Sequence, residues 1–179
     1  IADHLAHILN IEEIGYEPEA LNILARSGAG SLRDTLTLLD QAIVYSKNFV
    51  DIRTVTEMLG LVDPKFFTTL FDDIFNKNES RIIEHIKFLE EYEAQMVIDE
   101  LILFLKERMF AQDAKYSTLI LDRFFRILND SKLLLYINAD GSFVLSLVFL
   151  KMIEAMKVKE IDKVIESLQQ ESGAFQQSI

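Results

Sequence analysis

The chain has 179 residues, 50% of them hydrophobic, with no cysteine, no tryptophan and a formal net charge of −11. That length suits one ordinary domain or two small ones with ample apolar content for packed cores, and the missing cysteines exclude disulfides and thiolate-bound metals. The acid excess would repel a phosphate backbone over about a Debye length, ~8–10 Å, which argues against a broad nucleic-acid-binding face.

Only two prolines and six glycines interrupt the chain, and apolar residues recur at three- and four-residue steps, so the fold class expected is all-α with no strands. The first helix places Ile1, Leu5, Ile8 and Leu9 on one stripe and ends before Gly15. A second opens at Pro18, a residue favoured in a helix's first turn, and carries Leu21, Leu24 and Ala25 until Gly28 and Gly30 stop it. Ser31, with Asp34 three residues on and leucines at 32, 36 and 39, marks the start of a third. A short fourth after Asp51 turns Ile52, Val55 and Met58 or Leu59 inward. Gly60 can end it, and Asp63 followed by Pro64 reads as an N-cap with a first-turn proline, so a domain boundary is placed there: residues 1–62 and residues 63–179.

Composition changes at that boundary, because Phe49 is the single phenylalanine before it and the other twelve follow. The second region reads as about six helices around an aromatic core. Their stripes are Phe67, Leu70, Phe71, Ile74 and Phe75, then Ile82, Ile86 and Leu89, then a helix over 94–110 that is apolar nearly all round and therefore central. Two long helices over 119–136 and 143–156 follow, and a separate amphipathic helix carries Ile161, Val164, Ile165 and Leu168. The apolar stretch 143–150 is far short of the ~18 residues needed to span a bilayer. The chain opens on Ile and shows no leader pattern, so a segment of a longer cytoplasmic polypeptide is the expectation.

Arg33 falls in the first turn of the third helix, where partially positive backbone N–H groups disfavour an exposed cation by roughly 0.3–1 kcal/mol. Residues alone leave two readings. The commoner is a solvated side chain or a weak local pair with Asp34; the other points the planar donor fork of Arg33 at a phosphate supplied from elsewhere. His4 and His7, beside Asp3, suggest a weak metal site, although spacing places no further ligand. Phe104, Phe110, Phe124, Phe125 and Phe143 suit core packing better than an aromatic ligand pocket, the acidic run 90–93 suits a solvated helix end, and His85 suits a surface or partly buried structural role.

The segments HLAHILNIEEI, ALNILARSGAGSLRDTLTLLDQAI and VTEMLGLVD together resemble the lid domain of the gamma/tau subunits of bacterial DNA polymerase III, the ATP-driven motors of the sliding-clamp loader. The likeness covers about the first 62 residues; beyond them it extends to the family's helical collar by position, length and helical character. Gly30 to Asp34 matches the family's GSLRD sensor 2 element of AAA+ ATPases. The resemblance implies that Arg33 contacts the gamma-phosphate of ATP and that Leu32 lies near the nucleotide. It implies ATP with Mg in the full-length subunit, and a collar that packs with other gamma/tau copies, delta and delta-prime into a five-subunit ring. The sliding clamp and primer-template DNA would be engaged mainly by a domain upstream. No G-x-x-x-x-G-K-[ST] loop occurs in these residues, so catalysis is not expected of this segment by itself. Two alternatives remain at this point: the lid and oligomerisation region of another AAA+ ATPase, and an independent helical enzyme using a metal at His4 and His7.

Overall fold

A computed structural model describes residues 1–137 and 139–176. It divides into two compact units, Ile1–Asp63 and Pro64–Ile179.

The first unit contains α1 (Ala2–Ile11), β1 (Gly15–Tyr16), α2 (Pro18–Ser27), α3 (Leu32–Tyr45), β2 (Phe49–Val50) and α4 (Ile52–Leu59). Its core is built by Leu5 and Leu9 of α1, Ala20, Leu21, Ile23 and Leu24 of α2, Leu39 and Ala42 of α3, and Val50 and Val55. α2 contributes most because its apolar residues fall on adjoining turns of one face. The residues expected inward but left partly exposed, Ile8, Ile52, Met58 and Leu59, pack along the edge of this core.

Helix ends follow the local chemistry. Ser31 Oγ accepts from the Asp34 N–H at 3.2 Å and so caps α3, which begins one residue later at Leu32. Asp51 caps α4 by accepting from the Thr54 N–H at 2.8 Å, and also accepts from the Thr54 hydroxyl. That hydroxyl bond, ahead of the backbone one, holds the Asp51 carboxyl below its usual range. Gly60 ends α4 with φ 67°, a left-handed conformation that costs a residue with a β-carbon about 1 kcal/mol or more.

The expectation of no strands is corrected in one detail. β1 and β2 pair in parallel, Gly15 with Phe49 and Tyr16 with Val50, and the Glu17 N–H donates to the Val50 carbonyl at 2.9 Å. Pairs this short have no room to show a period-two pattern, so the sequence carries no signal for them. They join the extended segments leading into α2 and α4.

The second unit contains α5 (Pro64–Phe75), α6 (Glu79–Leu89), α7 (Ala94–Phe110), α8 (Thr118–Tyr136) and α9 (Gly141–Gln176). These are five helices among the described residues where about six were expected, because the two last segments are one 36-residue helix. Neither glycine nor proline occurs between Gly141 and Gly173, and Lys, Glu, Ile and Val continue the backbone ladder without a break. Its first half is buried through Val144, Leu145, Val148, Phe149, Met152 and Ile153, whereas Ile161, Val164, Ile165 and Leu168 stay about half exposed. Asp140 caps it, accepting from the Phe143 N–H at 2.9 Å.

The core of this unit is aromatic. Phe71 is fully buried and stacks nearly parallel on Phe104, with centroids 5.3 Å apart, and also meets Phe124 and Tyr116 at 5.9 Å each. Burial, then the nearby Asp72 and Asp113 carboxylates, raise the Tyr116 hydroxyl above its usual range. α7 is central only in part: Val97, Ile98, Leu101, Phe104 and Leu105 are buried, but Met109 and Phe110 are exposed. Its all-round apolar pattern overstates its burial at the C-terminal end. Among the described residues no helix is long and apolar enough to cross a membrane.

Candidate functional site

The site the sequence points to lies at the junction of α2 and α3. α2 ends at Gly28, and the chain turns through Ala29 and Gly30, both at positive φ (50° and 83°), before Ser31 starts α3. The turn is closed by the Ser31 N–H donating to the Gly28 carbonyl at 2.9 Å. The N–H groups of Leu32 and Arg33 then open the helix, where no carbonyl of the same helix precedes them to accept.

Arg33 is exposed, and its guanidinium has no ion pair among the described residues, with Asp34 or with any other acid. The local pair with Asp34 is thus not formed; Asp34 instead gives its N–H to the Ser31 cap. Leu32 beside it is 44% exposed, an apolar side chain left in the open next to a free cation. The free guanidinium, the free N–H groups and the positive end of the helix dipole form a donor set suited to the oxygens of an anion. Its chemistry fits a phosphate group. It does not fit a metal, and among the described residues no group of three or more His, Asp or Glu is arranged to hold one.

Gly28 does more than stop α2. Its backbone is ordinary right-handed (φ −75°, ψ −3°), but a β-carbon placed there would lie 2.9 Å from Thr35 Cβ and 3.1 Å from Thr35 Cα. Sequence reading assigned Gly28 to helix termination and passed over Thr35, because a single glycine carries no mark of what packs against it.

The other candidates do not assemble into sites. His4 and His7 are both exposed on α1. Phe104 and Phe124 are core residues, while Phe110 and Phe143 are 79% and 63% exposed, so the five aromatic residues form no common pocket. Glu90, Glu91 and Glu93 are exposed in the turn after α6. His85 is corrected from a surface or partly buried position to a buried one. Its Nε2 is hydrogen-bonded to Asp73 Oδ2 at 2.6 Å, and the Phe66 ring meets the imidazole edge-on at 5.1 Å.

Residues 1–48, which contain this junction, match the family described as the ATPase lid domain of the DNA polymerase III clamp loader subunit. The N-terminal region is thus similar to the lid of the clamp loader gamma/tau subunits. The chain is 42% identical over 83 residues to DNA polymerase III subunit tau of Escherichia coli and 41% identical over 86 residues to that of Salmonella typhimurium. These stretches are 46% and 48% of this chain and 13% of each relative. The subunit tau of Bacillus subtilis is 25% identical over 116 residues, 64% of this chain and 21% of that protein. The chain therefore matches only a small share of the length of these relatives, and the family match falls on α1, α2 and α3, the helix that carries Arg33.

Proposed function

We propose that this chain supplies the lid and the assembly domain of a clamp loader motor subunit. Arg33 reads the terminal phosphate of a nucleotide held by a P-loop domain elsewhere in the same polypeptide. The observation that carries this reading is the free guanidinium of Arg33 in the first turn of α3, inside the clamp loader lid match and beside the exposed Leu32.

ATP with Mg, when bound by the P-loop domain, supplies a terminal phosphoryl group whose bond can be hydrolysed. The part played by this chain is recognition. The planar fork of Arg33 donates charge-assisted hydrogen bonds to the outermost phosphate oxygens, and Leu32 covers the adjacent apolar surface of the nucleotide. A diphosphate offers no partner at that position, so the lid is released and nucleotide state becomes an angle between domains. The second unit, with its aromatic core and its exposed apolar residues on α7, α8 and α9, serves assembly with other gamma/tau copies, delta and delta-prime. The acidic balance of the chain suits this division, in which the sliding clamp and primer-template DNA are met mainly by other domains.

The test is Arg33→Ala in the complete subunit. Losing charge-assisted hydrogen bonds of about 1.5–3 kcal/mol corresponds to a drop of roughly 10- to 100-fold in triphosphate-dependent steps. ATP hydrolysis and clamp loading should fall accordingly, with the melting temperature of the lid unchanged. Wild-type rates in the folded variant would remove Arg33 from the mechanism.

A further inference from the structure

We infer that Gly28 and Thr35 form a positioning pair that sets the aim of Arg33, an inference that rests on the phosphate role proposed above. Thr35 is fully buried, although threonine is polar and the position lies within the first turns of a helix. Its Oγ1 donates to the Ser31 carbonyl at 2.8 Å, and its N–H donates to the same oxygen at 3.0 Å. Ser31 in turn donates its N–H to Gly28, and the Thr35 side chain lies directly against the Gly28 α-carbon, where a β-carbon would overlap Oγ1. Three residues therefore close a ring of contacts that ties the end of α2 to the start of α3.

The geometry of a helix converts that tie into an aim. Residues two apart point about 200° from each other around the axis, so a Thr35 pinned inward against Gly28 turns Arg33 outward. The observed exposures agree: Thr35 is at 0% and Arg33 is exposed. The backbone at Gly28 does not need glycine, since its φ of −75° suits any residue; only the space does. An added methyl must gain roughly 0.5 Å from Thr35 Cβ to reach ordinary contact, and Thr35 Cβ and Cα cannot swing away as a side-chain tip can. A half-ångström retreat of the start of α3 carries Arg33 with it. Short charge-assisted bonds of about 2.8 Å then lengthen toward the limit at which they cease to be hydrogen bonds.

The experiment compares the affinity of the complete subunit for adenylyl imidodiphosphate with its affinity for ADP, alongside its melting temperature. Gly28→Ala, which crowds the contact, and Thr35→Val, which removes the hydroxyl bond to Ser31, should each lower the triphosphate-to-diphosphate affinity ratio at least threefold and leave ADP affinity unchanged. Thr35→Ser keeps the hydroxyl and its bond to Ser31 and should hold the wild-type ratio. A merely structural role would shift melting temperatures without moving the ratio. If Gly28→Ala fails to fold, Thr35→Val decides. Should both Gly28→Ala and Thr35→Val keep the ratio while Arg33→Ala lowers it, the positioning role is overturned and the phosphate role stands. Should Arg33→Ala itself keep the ratio, the phosphate role falls and this inference with it.

Discussion

Truncating Phe71 to alanine tests the packing account of the second unit. Phe71 is fully buried, stacks on Phe104 at 5.3 Å with the rings 4° from parallel, and touches Phe124, Tyr116 and Phe75 at 5.9–6.5 Å. Removing its ring forfeits the transfer free energy of the ring and leaves a cavity between α5, α7 and α8 that neighbouring rings cannot close without leaving their stacked geometry. Buried Phe→Ala changes cost about 3–5 kcal/mol, and the central place of this ring sets the expectation at about 4 kcal/mol. With a urea slope of about 2 kcal/mol per molar, the midpoint should fall by roughly 2 M. The assay is urea unfolding followed by far-ultraviolet circular dichroism, with Phe71→Leu as a control expected to lose only about 1–1.5 kcal/mol. A loss below about 1.5 kcal/mol for the alanine variant would refute a tightly packed aromatic core.

Lowering pH should weaken the start of α4. The Asp51 carboxyl is held below its usual value by the Thr54 hydroxyl and N–H, so its stabilisation is present above the unfolded value of 3.8 and is lost as pH falls through the lower folded value. Asp51→Asn should keep the cap and flatten that acid dependence, which amide exchange at residues 52–55 in the folded chain would record; an unaltered pH profile would count against the assigned cause. Deleting residues 64–179 from the complete subunit should abolish its assembly with other loader subunits, read by size-exclusion chromatography with light scattering, and retained assembly would move the interface elsewhere.

The fold was legible where residue chemistry acts locally. Ser31 with Asp34, Asp51, Gly60 and Pro64 each announce a helix end within four residues, and the structure places helix ends at all of them. Misreadings came from interactions that neither period nor propensity encodes. The β1–β2 pairing joins residues more than thirty positions apart and is too short to have a pattern. The separate helix expected around Ile161 reflected the change from an apolar stretch over 143–156 to an amphipathic one, but backbone continuity needs only the absence of breakers, and α9 runs on. His85 reads as a surface or partly buried residue until Asp73, twelve positions earlier, is seen to satisfy it inside the unit. At the site, Arg33 stood out because a cation in a first turn is locally unfavourable, whereas the Gly28–Thr35 contact depends on how two helices meet.

The most direct measurement of the central claim is the structure of the assembled, triphosphate-bound machine that contains this chain. A guanidinium nitrogen of Arg33 should lie about 2.7–2.9 Å from an oxygen of the terminal phosphate, the span of a charge-assisted hydrogen bond. A guanidinium turned into solvent with the nucleotide bound beyond its reach would contradict it.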